Sequence, residues 1–555
     1  MSTECCPLGR GHDRPELPIV GEVNAPEGPK SVVRSATGMG AAAAVSRTFG
    51  GVRVLVIAAV LGTTYLGNAF QSANTVSNIL FELLAAGALS AVLVPTFVGY
   101  LDGDDQAGAE HLAGELLGVT LAVLGVVSVV GVIIAPWLAD VLTVAVSDPE
   151  VADAQQDLTT FLLWFFIPQV VLYGLGAIAT AVLHARRSFI VPAVAPIGNT
   201  IVLVGFLVAF RIMAGADPGL SLSTTEKVLL GLGGTLGVVA FVAVPAIAVW
   251  RSGFRLVPRL SRTHEGLGAL LRLSGWASVQ HGSAAVLFGA AIVAGSAVEG
   301  GVVAYQVGWF FFLAPYGIIA QPIHTTILPE LTAEHRAGDM AAFGRSMRWA
   351  LDSMVVWLVP LSALCVALAV PAMTVLAFGE SKGSGSIELL AAALASLGVG
   401  LLPYGAFFLL ARAFYVLGES RVPAVVGILA ALVGVAIMGI AAATSSSTTT
   451  VVALGLAYSV SFLVGSIGLT VILHRRLDAW VLPSLLGRTL AVAAFAGTVA
   501  WMLQQWWDPS GRLGSLLALA VLVPLAGGIY LGGVRLLGVS VTKRLPNAST
   551  PGTAP

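Results

Sequence analysis

Residues 46–62 read SRTFGGVRVLVIAAVLG, an apolar segment of membrane-spanning length that nevertheless carries two arginines, Arg47 and Arg53. An arginine near the centre of a bilayer costs about 2.5–3.5 kcal/mol on insertion scales, so such residues usually face a water-filled cavity or a partner. Two interpretations follow. Either the arginines line a cationic pocket inside a transporter, or the helix begins late and both side chains reach the lipid headgroups.

The whole chain has the composition of a polytopic membrane protein. Of its 555 residues, 57% are hydrophobic and only 10% are charged, whereas soluble proteins carry about 25% charged residues. The cysteines Cys5, Cys6 and Cys365 lack the spacing of a disulfide framework or a metal site. Residues 1–38 are polar and rich in proline and glycine, which predicts a disordered cytoplasmic tail, and a second such tail is predicted over residues 541–555.

Apolar stretches long enough to cross a hydrocarbon core of about 30 Å recur along the chain. They lie near residues 43–66, 75–100, 113–138, 159–183, 189–212, 228–250, 270–295, 302–328, 349–377, 387–416, 423–443, 451–473, 487–505 and 514–537. The sequence therefore predicts an all-α polytopic membrane protein with about fourteen transmembrane helices.

Basic residues are distributed unevenly between the loops that connect these stretches. With the N-terminus inside, the odd-numbered loops carry only Arg211, Lys227, Lys382 and Arg512. The even-numbered loops carry many more, including Arg186, Arg187, Arg251, Arg255, Arg259, Arg262, Arg475 and Arg476. Because cytoplasmic loops are enriched in Lys and Arg, this asymmetry predicts that both termini lie in the cytoplasm.

The chain also contains an internal duplication. Three proline pairs recur at an offset of 231–235 positions: Pro95 with Pro329, Pro168 with Pro403, and Pro192 with Pro423. Each unit holds six helices, an even number, so both copies have the same orientation and the repeat is parallel. The predicted domains are an N-lobe over 39–255, a C-lobe over 256–478 and two added helices over 479–540. Such an architecture places a substrate pathway between the lobes.

The region from Ser46 onward resembles the MurJ/MviN family, the lipid II flippases of peptidoglycan synthesis. The matching elements are Ser46-Arg47, Arg53, Leu61-Gly62, Asn68-Ala69-Phe70, Asn78, Gly87-Ala88-Leu89-Ser90 and Val94-Pro95. The segment FFFLAPYGIIAQPIHTTILPEL, residues 310–331, resembles the eighth helix of actinobacterial members. The resemblance spans residues 40–540 and implies the MOP exporter fold, which is also the fold of MATE transporters.

What the resemblance implies for the site is an anion-binding cavity. The implied substrate-binding residues are Arg47, Arg53, Asn68 and Glu82, because guanidinium groups suit the oxygens of a pyrophosphate and stay charged. Glu82 is interpreted either as the counter-charge of the empty site or as a structural ion-pair partner of an arginine. Further residues expected to line the cavity are Gln280, His281 and Phe310. Arg412, near the end of the tenth helix, is expected to snorkel to the cytoplasmic interface.

Several positions depart from the family pattern. Relatives often have Asp where Asn68 stands, an arginine pair on their second helix falls on Phe81 and Glu82, and the arginine of their eighth helix falls near Phe310. Arg47 and Arg53 are therefore expected to carry more of the anion binding. The eleventh stretch contains no acidic residue and no asparagine, which argues against the sodium site that some relatives have.

The functional expectation is a flippase that moves lipid II from the inner to the outer leaflet of a bacterial plasma membrane by alternating access. The sequence contains no phosphate-binding loop, nucleophile constellation or metal cluster, so neither an enzyme nor a bound cofactor is expected; coupling to the membrane potential or an ion gradient is. Expected partners are lipid II, membrane lipids and cell-wall synthesis or regulatory proteins, but no nucleic acid. Open alternatives are a flippase for another polyprenyl-linked saccharide, a MATE-type drug or cation exporter, and a scaffold that transports nothing.

Overall fold

The computed structural model describes residues 29–82, 94, 97–101, 103, 105–259, 265–445, 447–477 and 481–539. The side chains of residues 29–43, 265–274, 277 and 278 lie outside this description. Every long regular element within these ranges is a helix, which confirms the predicted all-α class.

Helices make up most of the described residues of the N-lobe. They are α1 (Pro29–Leu61), α2 (Tyr65–Phe81), α3 (Gln106–Ile133), α4 (Ala135–Thr143), α5 (Pro149–Phe166), α6 (Gln169–Ala185), α7 (Ile190–Ala214) and α8 (Thr224–Arg251). α7 packs along both α8 and α1, and α2 packs against α5. Because α1 begins at Pro29, residues 29–38 are helical, and their assignment to a disordered tail was wrong. The remainder of that tail and residues 541–555 lie outside the described residues.

The second half of the chain repeats this organisation and then adds two helices. Its helices are α9 (Glu265–Gly295), α10 (Gly301–Pro315), α11 (Gln321–Arg336), α12 (Met340–Ala367), α13 (Ala369–Leu376), α14 (Ser384–Gly398), α15 (Leu401–Val416), α16 (Arg421–Thr444), α17 (Thr448–Leu477), α18 (Leu486–Trp507) and α19 (Gly511–Leu536). A π-helical turn, Tyr316–Ala320, joins α10 to α11, and a 3-10 turn, Gly379–Lys382, precedes α14. α18 packs on α12 and on α19, and α19 packs on α13.

Many of these helices are suited to span a membrane. In the described ranges, eleven helical segments are long and apolar enough, or twelve if the bent pair α14 and α15, at 43°, forms one span. The two other predicted spans, near 75–100 and 270–295, fall partly on residues outside the description. The polytopic architecture is therefore confirmed, whereas the count of fourteen stays a prediction.

Prolines interrupt the two lobes at equivalent places. Pro168 lies in the break between α5 and α6, and Pro403 lies in the first turn of α15, directly after its break with α14. Pro192 and Pro423 each lie in the first turn of a helix, α7 and α16. Proline lacks the backbone N–H that a helix interior requires, so it is tolerated in a first turn or a break. Pro95, the partner of Pro329, lies outside the described residues.

The lobes meet where the α1–α2 turn faces the α9–α10 turn. The Asn68 carboxamide donates to the Val298 carbonyl oxygen at 2.9 Å and accepts from the Val302 N–H at 3.1 Å. Val302 lies in the first turn of α10, whose N–H groups have no partner within the helix. Asn68 is fully buried and therefore links the lobes by satisfying polar groups that water does not reach.

Further contacts join the lobes at the same end of the bundle. The Thr63 hydroxyl donates to Ser386 Oγ at 2.6 Å, and Arg211 at the end of α7 forms an ion pair with Glu380. Gly300 has a φ of +71°, and a Cβ there would lie 2.3 Å from the Thr63 carbonyl carbon, so only glycine allows this approach. We call the contacts Asn68–Val298/Val302, Thr63–Ser386, Thr63–Gly300 and Arg211–Glu380 the inter-lobe seal.

Replacing Asn68 with alanine is expected to destabilise the protein by roughly 1–3 kcal/mol, because the Val302 N–H and the Val298 carbonyl are left buried without partners. The measurement is the thermal midpoint in detergent. Asn78→Ala is the matched control, since Asn78 is an exposed asparagine of the same helix. Equal midpoints for Asn68→Ala and Asn78→Ala would show that the carboxamide does not hold the lobes together.

Candidate functional site

A cavity of about 550 Å³ lies between the two lobes, within the range of about 300–1,000 Å³ typical of small-molecule sites. Its walls come from α1 and α2 of the N-lobe and from α9, α10, α15 and α17 of the C-lobe. Asn78, Glu82 and Gln321 line it and are exposed, so the cavity opens at the end of the bundle where α2 ends. The opposite end, toward the α1–α2 turn, is closed by the inter-lobe seal.

The N-lobe wall is polar. Arg53 reaches the cavity from α1, and Asn74, Asn78 and Glu82 reach it from α2. Positions four residues apart lie on the same face of a helix, so the three α2 residues form one stripe that ends at the open mouth. This wall therefore offers one guanidinium, two carboxamides and one carboxylate to a ligand.

The C-lobe wall is aromatic and ends in a second cation. Tyr404, Phe408 and Arg412 of α15 line the cavity at the same four-residue spacing, and Trp309 of α10 adjoins them, with its ring centroid 5.8 Å from that of Tyr404. His281 of α9 stacks on Phe408 at 6.1 Å. Each lobe thus contributes one row of side chains to the cavity. Arg53 lies beside the α2 row, and Arg412 is the last residue of the α15 row.

The charged groups of the cavity are not neutralised by the residues around them. Over the described ranges, the side chains of Arg53, Arg412 and Glu82 form neither an ion pair nor a hydrogen bond, and Arg53 Nε is buried without a partner. Glu82 therefore forms no ion pair with Arg47 or Arg53, both of which are described, although one interpretation of the sequence suggested such a pair. A buried charge without a partner is costly. Two guanidiniums and one carboxylate leave the cavity with a net positive charge, which suits an anionic ligand.

The structure places most of the predicted site residues at this cavity. Arg53, Glu82, His281 and Phe310 line it, and the Phe310 ring also packs against Gly50 and Gly51 of α1. Arg47 is exposed at the mouth, where its Nη2 donates to Gln321 Oε1 at 3.5 Å. Arg47 thus reaches across to the C-lobe and lies at the edge of the cavity.

Two predicted site residues lie elsewhere. Asn68 was predicted to bind substrate, but it is fully buried in the inter-lobe seal, where its carboxamide is occupied by backbone groups. Gln280 was predicted to line the cavity, but it is buried and accepts a hydrogen bond from the Tyr415 hydroxyl. In this structure neither side chain faces the cavity, because a polar residue inside a span serves packing as readily as it serves a ligand.

Asn74, Trp309, Tyr404 and Phe408 line the cavity but were not among the predicted site residues, and neither was Arg412. Arg412 was expected to snorkel because it lies near the end of the tenth predicted span, yet it lines the cavity and is only partly exposed. The signal that would have found it is the spacing of Tyr404, Phe408 and Arg412, which places all three on one face of a helix. As for metals, no group of three acidic, histidine or cysteine side chains among the described residues could hold an ion.

Comparison with known proteins places the chain in a family. The family model described as lipid II flippase MurJ matches residues 57–522. A probable lipid II flippase MurJ of Rhizobium tropici is 26% identical over 522 residues, which cover 91% of this chain and 95% of the relative. A probable lipid II flippase MurJ of Vibrio cholerae is 25% identical, over 92% of this chain and 97% of the relative.

Solved structures show the same fold. A structure of lipid II flippase MurJ in an inward closed conformation matches with a TM-score of 0.69 at 15% identity, covering 90% of this chain and 99% of that one. An inward-facing multidrug resistance MATE family transporter of the MOP superfamily matches with a TM-score of 0.63, covering 78% and 95%. The chain therefore shares the fold of these two structures. Because the family model covers residues 57–522, well over half of the sequence, the chain belongs to the MurJ family of lipid II flippases.

Proposed function

We propose that this chain flips lipid II, a polyprenyl-pyrophosphate glycopeptide, from the inner to the outer leaflet of the bacterial plasma membrane, with no covalent bond made or broken. The observation that carries the proposal is the cavity between the lobes, which holds Arg53 and Arg412 without a neutralising partner among the described residues. Moving a charged headgroup across a bilayer requires that its charge be shielded from hydrocarbon. Fixed guanidiniums in a hydrated cavity do this for a pyrophosphate.

The predicted orientation of the chain in the membrane makes the cavity a site at which the headgroup binds from the cytoplasm. With both termini in the cytoplasm, as the distribution of Lys and Arg predicts, the α1–α2 turn lies outside and the mouth beside Glu82 opens to the cytoplasm. The inter-lobe seal then closes the outer side. Alternating access requires the seal to open and the mouth to close as one lobe rocks against the other around the bound headgroup.

The lipid tail has its own surface in this proposal. An apolar groove of about 750 Å³ lies between α12, α15, α17 and α18, and is lined by Val359, Leu402, Leu463, Leu490 and Trp501, among others. Carbon-rich walls of this kind favour a prenyl chain, because each buried CH₂ contributes about 0.8 kcal/mol. The groove is where we place part of the polyprenyl tail while the headgroup crosses.

The energy source and the protein partners belong to the proposal as well. Outward movement of an anionic headgroup is favoured by a membrane potential that is negative inside, at about 2.3 kcal/mol per charge and 100 mV. We therefore propose coupling to the membrane potential or to an ion gradient, without a bound cofactor. Membrane lipids surround the chain, and cell-wall synthesis or regulatory proteins are its proposed partners.

The test is complementation. In a bacterium depleted of its own flippase, expression of this chain is expected to restore growth and to return lipid II to the outer leaflet, where an externally added enzyme or probe can reach it. An unchanged inner-leaflet pool, with the chain present in the membrane at normal levels, would contradict the proposed function.

A further inference from the structure

The aromatic C-lobe wall has no role in holding a pyrophosphate, and its composition calls for a different part of a ligand. The rings of Trp309, Tyr404 and Phe408 line the cavity and are partly exposed to it. Burial of such rings stabilises a fold, and their exposure in a cavity forgoes that gain unless a ligand covers them.

Buried aromatic side chains hold these rings in place. Trp309 packs edge-on to Tyr458 at 4.9 Å, and Tyr404 packs on Phe408 and on Phe462, at 4.8 and 4.9 Å. Tyr458 and Phe462 are nearly fully buried and form the supporting layer. The front rings therefore form a rigid surface. We call Trp309, Tyr404 and Phe408 the aromatic platform.

Carboxamides border the platform. Asn74 and Asn78 line the cavity from α2 on the N-lobe wall, and Gln306 and Gln321 line it from the C-lobe. The Gln306 amide donates to Gln71 O and Thr75 Oγ1, at 3.2 and 2.7 Å, and this leaves its oxygen without a partner among the described residues. The Asn74 side chain likewise forms no hydrogen bond within the described part of the chain. A carboxamide both donates and accepts, which is what a ligand rimmed with hydroxyl and acetamido groups requires.

We infer that the aromatic platform and the carboxamides that border it form a saccharide subsite, in which the pyranose rings of the ligand stack on Trp309, Tyr404 and Phe408. This inference rests on the proposed function and assigns a place to the disaccharide. A pyranose ring has an apolar face of C–H groups and a polar rim of hydroxyls, so it matches an aromatic surface that is bordered by amides. A flat organic cation would also stack on the rings, but Arg412 at the end of the platform and Arg53 across from it would repel it.

Different regions of the cavity then bind different parts of the ligand. The pyrophosphate lies near the guanidiniums, and the sugars extend along the platform, so one ligand contacts both lobes at once. A pyrophosphate contacts the N-lobe through Arg53 and the C-lobe through Arg412, and the sugars add contacts with Trp309 and Phe408 that a bare pyrophosphate lacks. The platform thus discriminates a glycosylated lipid pyrophosphate from a bare one.

The experiment measures equilibrium binding of two lipids to the purified full chain in nanodiscs: lipid II, and undecaprenyl pyrophosphate, which lacks the sugars and the peptide. The wild type is expected to bind lipid II more tightly. Phe408→Leu is expected to weaken lipid II binding about five- to tenfold and to leave undecaprenyl pyrophosphate binding unchanged. Phe408→Trp, which keeps a flat ring, is expected to retain lipid II binding, whereas Arg53→Ala is expected to weaken binding of both lipids.

Phe407→Leu is the matched control, because Phe407 is the adjacent aromatic residue of α15 but is buried away from the cavity. Comparable thermal midpoints for the two leucine variants establish that folding is not the cause of any loss. Wild-type lipid II affinity in both Phe408→Leu and Trp309→Leu would overturn the subsite, as would an equal loss for both lipids. If the wild type binds neither lipid, the proposed function fails, and the subsite fails with it.

Discussion

Replacing Arg53 with alanine is expected to abolish complementation of a flippase-depleted strain while leaving the chain folded and inserted. Arg53 lines the cavity, and its Nε is buried without a partner among the residues that the structure describes, so its charge is available to a ligand. A hydrogen bond to a charged group is worth roughly 1.5–3 kcal/mol, and its loss lowers pyrophosphate affinity by about ten- to a hundredfold. Removing an arginine from a span makes insertion easier, so reduced membrane levels are not expected.

Two variants refine this result. Arg53→Lys is expected to restore only part of the activity, because an ammonium keeps the charge but lacks the planar fork that matches two phosphate oxygens. The double variant Arg53→Ala with Phe310→Arg is expected to recover some activity, since Phe310 lines the same cavity beside α1.

The measurement for these variants is outer-leaflet lipid II at matched expression. Arg251→Ala serves as the control, because Arg251 is an exposed arginine at the end of α8. Wild-type flipping by Arg53→Ala would show that this residue is an interface anchor, as the alternative interpretation of the sequence holds.

The fold was largely predictable from the sequence, because its determinants repeat along the chain. Hydropathy identifies spans one by one. The proline pairs Pro168/Pro403 and Pro192/Pro423 reveal the parallel repeat, because the two members of each pair lie at equivalent breaks or first turns. The start of α1 was missed for a local reason. Residues 29–38 are polar, and polarity distinguishes helix from tail only when a helix has an apolar face to bury.

The site was only partly predictable. Arg53 was identifiable because a charge inside a span is costly and therefore usually functional. Asn68 shows the limit of that argument, because a neutral carboxamide satisfies two backbone groups of the other lobe as well as it would satisfy a ligand. Arg412 was misassigned because its distance from the end of the span says nothing about which side of the helix faces the cavity. Only contacts between lobes determine that.

A disulfide across the inter-lobe seal is expected to stop transport completely and reversibly. Thr63 Oγ1 and Ser386 Oγ lie 2.6 Å apart on opposite lobes, and a disulfide requires sulfur atoms about 2.0 Å apart with little backbone movement. In a chain whose Cys5, Cys6 and Cys365 are replaced by serine, the pair Thr63→Cys and Ser386→Cys is expected to form a disulfide under oxidation. The pair is proposed to lie on the outer side of the membrane, where conditions favour disulfide formation.

If the lobes must separate at the seal to release lipid II outward, the crosslinked chain binds ligand but flips none, and a reductant restores flipping. Each single cysteine variant is expected to transport in both redox states. A second control pair, Ser445→Cys with Thr449→Cys, joins α16 to α17 within the C-lobe, where the two hydroxyls lie 2.7 Å apart, and its disulfide is expected to leave transport intact. Gel mobility after mild cleavage between the lobes measures the extent of crosslinking. Undiminished flipping by fully crosslinked Thr63→Cys/Ser386→Cys protein would mean that the seal stays shut during transport, and that the headgroup crosses without the rocking of lobes on which alternating access depends.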